Sequence, residues 1–448
     1  DSTIIINRVN SSGLILSFLT LENQLEYSNG SLDISVTQYS EFSSPTYSIK
    51  DLSENYAFSF SNINISKVNM QNIDSYLSLL KTSCNEGSIY ISDVSIIGTG
   101  LASSVLPSYL QIEGAQRLDL TLTRVIMKDY LNSALIAFSP GSNSAFSHLI
   151  TLSNIIGNNI STSLFTTLND SMPVGNLAQI DIAFNSIVLS GFSGSLISST
   201  RWFVANFTNI IIHGQLKNPS PVPLIDLNCV PSSTTHLYLE NITILNALSQ
   251  NSYLNIQGIP FEGKSIVLAS SQSFAFTNNT YNLANLICVN NHAYRHGGCI
   301  SAIGSSGTIH NGIIKNNFAQ AGGGIFHSHS QNISMTSTTV QNNAASLYGQ
   351  NIATEDYSLR VKLATEIPDK NLEKYYNFTM ESTSTNRLKQ NFTIYGVSAA
   401  LMKASTLQIY FLDKYDQIVK FATLSELDTK VDDKLVLVQA YNNMSVIS

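Results

Sequence analysis

The chain has 448 residues, of which only 12% are charged and 43% apolar, with 20 Phe, 20 Tyr and a net charge of −7. Scarce Lys and Arg exclude a nucleic-acid binder, which clusters cations against phosphates, and the apolar content excludes a disordered chain. Ser (64), Asn (45) and Thr (32) supply the polarity instead, and no apolar run approaches the ~18 residues of a membrane-spanning helix.

The opening Asp1-Ser2-Thr3-Ile4, without Met or a basic-plus-apolar leader, suggests a mature terminus after signal removal, or an internal fragment. Residues 1–50 contain strand-like runs, Thr3-Ile4-Ile5-Ile6 and Leu14-Ile15-Leu16, without a regular frame. They are expected to form an N-terminal cap or irregular first coils.

The organising repeat is clearest at Ala284–Ile352. Asn290-Asn291, Asn316-Asn317 and Asn342-Asn343 recur at a spacing of 26, each followed by a glycine step: Gly297-Gly298, Gly323-Gly324 and Gly349-Gln350. Five residues before each pair stand Asn285, Asn311 and Ser337, and the same frame runs upstream through Asn62, Asp93, Arg124, Asn154, Ser186, Asn209 and Asn241. The upstream intervals are 31, 31, 30, 32, 23 and 32, and the last, from Asn241 to Asn285, is 44, which leaves room for an extra coil or loop.

Around each reference residue the apolar positions fall at minus four and minus two, then at plus one and plus three, as in Leu120, Leu122, Val125 and Met127. Period two is a strand signal. The change of parity at the reference residue requires a bend there, a position Asn suits because it tolerates the left-handed conformation. Repeated strand–corner–strand units predict a parallel β-helix of about ten or more coils over 51–354, stacked at about 4.8 Å. The corner Asn side chains are expected to turn inward and stack as a ladder.

After Thr354 the frame stops, and 23 of 94 residues are charged, against 30 of the preceding 354. Strand-like stretches at Ser358–Ala364, Asn391–Tyr395, Thr406–Leu412, Gln417–Phe421 and Lys434–Ala440 predict a small antiparallel β-sandwich over 355–448, cut short by the end at Val446-Ile447-Ser448, which suggests further chain.

Twelve Asn-x-Ser/Thr triplets are present, and Asn218 is excluded by Pro219. This composition yields roughly nine or ten by chance, so secretion is argued from the triplets together with scarce charge and abundant Ser, Thr and Asn. Candidate glycosylation sites are Asn10, Asn29, Asn64, Asn159, Asn169, Asn206, Asn278, Asn332, Asn377, Asn391 and Asn443, while Asn241, as an inward corner, is expected to be bare. Cys84, Cys229, Cys288 and Cys299 permit two disulfides in three connectivities, with Cys288 and Cys299 close in sequence. Cys288 also falls in an apolar column, where a buried free thiol is the plain alternative.

The segments containing Gly297-Gly298-Cys299-Ile300 and Gly322-Gly323-Gly324-Ile325 resemble the Gly-Gly-Ala-Ile repeats of chlamydial polymorphic membrane proteins, and equally those of large extracellular β-helix proteins of ciliates and other protists. Ala345-x-x-Tyr348-Gly349-x-Asn351-Ile352, with Leu412-Asp413-Lys414-Tyr415, is similar to the exit from such a helix into an immunoglobulin-like domain. The resemblance covers about 70 residues. It implies an all-β chain with a right-handed parallel β-helix of the pectin-lyase-like type and an immunoglobulin-like sandwich.

Pectin-degrading chemistry needs clustered carboxylates, whereas Asp93, Asp119, Asp129, Asp181, Asp226 and Glu240 are dispersed, so no catalytic residue is expected. His292, His296, His310, His327 and His329 could bring imidazoles together, but surface positions beside the glycine corners are the plainer reading, and no metal or cofactor is expected. Asp413-x-x-Asp416 and Asp432-Asp433 read as turn residues before calcium ligands. The lone Trp202 makes a poor sugar platform. The sequence therefore points to a secreted, glycosylated, non-enzymatic structural or adhesive protein of a cell surface, coat or extracellular filament. Its expected partners are copies of itself, further subunits and N-linked glycans, without nucleic acid or membrane insertion. Alternatives are a carbohydrate-binding or polysaccharide-cleaving β-helix and the passenger of a bacterial autotransporter adhesin.

Overall fold

In the computed structural model of the chain, side chains are described for most of residues 88–355 and for 412–419. At 2–83, 356–365, 377–382, 388–393 and 405–411 strands are described as backbone. Residues 99–109, 168–179, 215–222, 248–253, 366–376, 394–404 and 420–448 are among those outside the description.

All the regular structure among the described residues is strand. Two long parallel sheets dominate, and the chain enters them in turn. The first sheet runs from Ser2–Ile6 through Arg117–Tyr130 and Thr280–Val289 to Ile333–Thr336. The second runs from Leu19–Asn23 through Ala134–Pro140 to Ile352–Thr354. Each passage through both sheets is called a rung below. Stacked parallel sheets entered in turn, with Ser306–His310 and Ile313–Lys315 both in the first sheet and short parallel pairs such as Phe318–Ala321 with Ala344–Tyr348 beside them, are compatible with a parallel β-helix. Residues 1–50, expected as a cap or irregular first coils, place Ser2–Ile6 and Gly30–Val36 in the first sheet and Leu19–Asn23 and Tyr47–Asp51 in the second.

The alternation of apolar residues explains the strands, and one backbone conformation explains their bend. In Arg117–Tyr130, Leu118, Leu120 and Leu122 are buried, and the buried parity then shifts to Val125 and Met127. The shift falls at Arg124, which has φ 54°. Asp93, Asn154, Ser186, Asn209, Asn241, Asn285, Asn311 and Ser337 share this left-handed conformation, with φ between 50° and 58°. Strand pairing on both sides of the corner holds each of them where an isolated L-residue rarely stays. The 44-residue interval contains a complete rung with its corner at Ser265 (φ 56°). It escapes the sequence frame because Gly263 stands where an apolar residue is expected. A Cβ there would approach Ile266 and Leu283 within 2.8 Å, so glycine fits a position already filled by its neighbours.

A second left-handed column closes the first-sheet strands at Asp129, Asn159, Asn246, Ser270, Asn290, Asn316 and Asn342. Between the sheets lies one continuous apolar core from Ile89 to Ile325. Stacking along the axis puts like on like, as in Phe184 on Phe207 (4.6 Å between ring centroids).

Parallel pairing ends with Ile352–Thr354, and antiparallel pairing begins at Asp356–Thr365, which pairs with Ser405–Asp413. A second antiparallel pair joins Asn377–Ser382 to Leu388–Thr393. The expected strand at Gln417–Phe421 is reduced, among the described residues, to one bridge between Ile418 and Leu412. The expected strand at Lys434–Ala440 lies outside the described residues.

Candidate functional site

The corner column is the first place where the structure corrects the expectation. Its side chains face outward: Asn209, Asn241, Asn285 and Asn311 are exposed. The left-handed angle moves the inward positions from minus two to plus one, so the corner residue itself directs its side chain to solvent. The column forms a surface ladder, with Asn241 Nδ2 donating to Asn209 Oδ1 (3.2 Å) and Asn311 Nδ2 to Asn285 Oδ1 (2.7 Å). At Asp93 and Arg124 the same stacking produces a two-point ion pair of 2.5 and 2.7 Å, and the hydrogen bond to Asp93 raises the guanidinium pKa further. Burial therefore gives no reason for Asn241 to be bare. Beside it, Asn209, Ile211, Asn241, Thr243 and Ser265 line a shallow groove of about 320 Å³.

The inward ladder belongs to the second Asn of each pair. Asn291, Asn317 and Asn343 are buried, and each amide satisfies backbone groups that would otherwise be orphaned at the turn. Asn317 Oδ1 accepts the Asn291 N–H (2.9 Å), while Asn317 Nδ2 donates to Cys288 O (3.0 Å) and Asn343 Oδ1 (2.9 Å). Ser271 N–H begins the ladder on Asn291 Oδ1, and Asn351 ends it by accepting from Asn343 N–H (3.3 Å). The signal was present in the pairing itself: the first Asn supplies the backbone angle and the second the amide.

Cys288 and Cys299 form a disulfide within this ladder, with Cα atoms 5.9 Å apart, and Asn291 Nδ2 donates to the Cys288 sulfur. Cys84 and Cys229 lie outside the described residues. The glycine steps also need adjustment. The left-handed glycines are Gly297, Gly322 and Gly349, so Gly322, not Gly323, stands above Gly297, and the register shifts between Ala319 and Ala321.

The histidines are dispersed by their packing. His292 stacks on Phe318 (5.0 Å) and His296 on Phe326 (4.1 Å), while His310 Nδ1 meets Thr336 Oγ1 (2.8 Å). His327 is buried with both ring nitrogens engaged, Nδ1 to Ser328 O (2.9 Å) and Nε2 to Tyr415 Oη (2.8 Å). His329 lies outside the described residues. No group of three His, Cys, Asp or Glu side chains suited to a metal occurs among the described residues.

Tyr415 belongs to the turn that docks on the last parallel rung. The buried Asp413 carboxylate accepts from Thr354 N–H (3.2 Å), Tyr415 N–H (2.9 Å), Gln417 N–H (2.9 Å) and Gln417 Nε2 (3.0 Å). Four donors occupy its lone pairs, as a turn-forming Asp requires. Asp432 and Asp433 lie outside the described residues.

The remaining carboxylates work singly in different rungs. Glu240 accepts from Lys264 Nζ (2.8 Å) and Tyr238 Oη (3.0 Å), and the Lys264 hydrogen bond holds its pKa below the usual carboxylate range. Asp129 accepts from Asn159 Nδ2 (2.8 Å) and Asp226 from Asn255 Nδ2 (2.9 Å). These bonds hold neighbouring rungs together. Of the candidate glycosylation sites, Asn206 and Asn278 are exposed and Asn159 is half-buried. The side chains of Asn10, Asn29, Asn64, Asn169, Asn332, Asn377, Asn391 and Asn443 lie outside the description, as does Trp202. Comparison with known protein families, curated proteins and solved structures finds no match to this chain.

Proposed function

We propose that the chain is a secreted, glycosylated structural or adhesive protein of a cell surface, coat or extracellular filament, without enzymatic activity. In this reading it is a right-handed parallel β-helix of the pectin-lyase-like type, closed by an immunoglobulin-like sandwich. The observation that carries the reading is the make-up of the outer faces of the parallel sheets. They present ladders of Asn, Ser, Thr and aliphatic residues, and ionised side chains such as Asp93–Arg124 and Glu240–Lys264 are paired off between adjacent rungs. A protein of this size ordinarily keeps itself soluble by charge, so glycans or neighbouring subunits are needed to cover such faces. The Cys288–Cys299 disulfide fits an oxidising compartment.

The shallow groove beside Asn209 and Asn241 supports a second reading, a carbohydrate-binding face, because two carboxamides and the hydroxyls of Thr243 and Ser265 beside the exposed Ile211 offer polar and apolar contacts to a sugar ring. Glycopeptide mapping and negative-stain microscopy of the native material test the main reading. Occupied Asn206 or Asn278 together with regular fibres or sheets is the expected result. Bare sequons on isolated rods would overturn it and send the groove to a glycan screen.

A further inference from the structure

On the strand segment that follows the corner, the outward position two residues on is aliphatic in seven of the eight rungs from Arg124 to Asn311, Thr243 being the exception. Ile126, Ile156, Val188, Ile211, Ile287 and Ile313 are each 38–55% exposed. They belong to one ladder: Ile126 pairs with Ile156, Ile156 with Val188, Val188 with Ile211, and Ile287 with Ile313. Thr243 and Val267 fill the two rungs between Ile211 and Ile287 without a break. The outward positions before the corner are mixed, with Thr121, Thr151, Asn206 and Thr308 alongside the exposed Tyr90 and Leu149. Thr satisfies the strand preference of an exposed position as well as Ile does, so propensity alone does not produce the stripe.

Eight rungs at about 4.8 Å make a band about 34 Å long, and one outward column on either side makes it about 14 Å wide. With the largely polar columns on either side counted, that is about 480 Å² on each face and about 1,000 Å² for two, the lower bound of a specific interface. The periodicity selects the occupant. Ridges repeating at the rung spacing are matched by a surface with the same repeat, which a second copy carries. Apposed sheets of this kind pack about 10 Å apart with their side chains interleaved. The charged pairs Asp93–Arg124 and Glu240–Lys264 are neutralised within one face, while Lys128, beside Asp129, and Lys315 add cations to the column on the other side of the stripe.

We infer that this stripe is the surface through which two copies of the chain pack side by side, a step that rests on the assembling role proposed above. Asn241 lies on the border of the band, and its sequon uses Thr243, a member of it. A glycan there would occupy the contact, so pairing requires Asn241 to be bare although it is exposed.

Sedimentation velocity on the full secreted chain tests this, with the exposed pair Val188→Lys/Ile211→Lys as the variant. The expected result is a dimer for the native sequence and self-association weakened about tenfold or more in the variant, with circular dichroism and melting temperature unchanged. A native chain monomeric up to about 100 µM, a variant that dimerises as before, or a glycan at Asn241 in the native dimer each overturns the inference. The two readings fail separately. Fibres and glycans with an undisturbed variant leave the structural role standing on another contact. A stripe-dependent dimer without glycans or fibres removes the role and leaves the contact.

Discussion

The rungs of residues 117–214 and those of residues 284–352 close the same kind of cross-section by different forces. Upstream, the interior is filled by Phe138, Phe165, Phe184 and Phe207 among aliphatic neighbours, and the first-sheet strands are 12 to 14 residues long. Downstream, the interior holds Cys288, Cys299, Ala302, Ala319 and Ala321 with the buried amides of Asn291, Asn317 and Asn343, and the strands shorten to Ser306–His310 and Ile313–Lys315. Apolar burial is non-directional, so a core of Phe and Ile tolerates connections of varied length. A hydrogen-bonded ladder accepts only one register, because each amide must meet a specific carbonyl and N–H one rung away. Upstream spacing therefore wanders between 23 and 32 residues, while downstream spacing is locked at 26.

The sharpest way to break the downstream half is to add one carbon to it. A Cβ at Gly323 would lie 2.3 Å from both Ala344 O and Gln350 O, backbone atoms of the adjoining rung. Gly323→Ala should lower the local opening free energy of residues 316–352 by about 3–5 kcal/mol, read by native-state hydrogen exchange. In the upstream half Gly157 is the control. Its nearest obstacle is the end of the Leu189 side chain at 2.6 Å, which can turn aside. Gly157→Ala should cost about 1 kcal/mol. Equal losses at the two glycines would show that the halves do not differ as argued.

A smaller effect separates the two kinds of Asn within one rung. Asn317→Gly removes a buried amide and leaves the Asn291 N–H and Cys288 O without their partners, a loss of about 2–4 kcal/mol. Asn311→Gly removes one exposed bond to Asn285 and keeps a residue suited to φ 55°, so its stability should stay within about 0.5 kcal/mol. The contrast sharpens the division of labour: glycine replaces an Asn that serves the backbone angle and fails for one that serves hydrogen bonds.

That division marks what could be read from the sequence. The corner positions from Asp93 to Ser337 were legible because each sits at a parity change of apolar residues, a local pattern that needs no knowledge of neighbouring rungs. The rung at Ser265 was hidden because Gly263 removed one apolar marker for a reason that lies in the adjacent strand, the presence of Leu283. The direction of the corner side chains was misjudged for a different reason. Stacked Asn suggested an interior ladder, but the same left-handed angle that makes Asn suitable turns its side chain outward. The docking of Asp413 and Tyr415 on the last rung has no signal in the sequence. Contact between His327 and Tyr415, 88 residues apart, leaves no periodic trace. The aliphatic stripe leaves no mark on a frame built from inward positions alone.

The smallest expected effect lies where the second of these halves meets the antiparallel strands. Burial holds the His327 imidazole below its usual pKa of about 6.5, with nearby Lys414 acting in the same direction and the Ser328 and Asp413 interactions opposing. The folded state therefore binds its proton later than the unfolded state as pH falls. Stability from this site is complete above about pH 6.5 and is lost as pH drops toward the folded value. With Nδ1–H donating to Ser328 O, neutral His327 accepts the Tyr415 hydroxyl at Nε2, and protonation ends that acceptance. Hydrogen exchange at residues 412–419 should accelerate between pH 7 and pH 5 relative to the upstream rungs, after correction for intrinsic rates. His327→Gln should flatten that dependence while leaving exchange in residues 117–214 unchanged. An unchanged pH profile in the variant would place the sensitive group elsewhere and leave the docking turn held by the bonds of Asp413, Thr354 and Gln417.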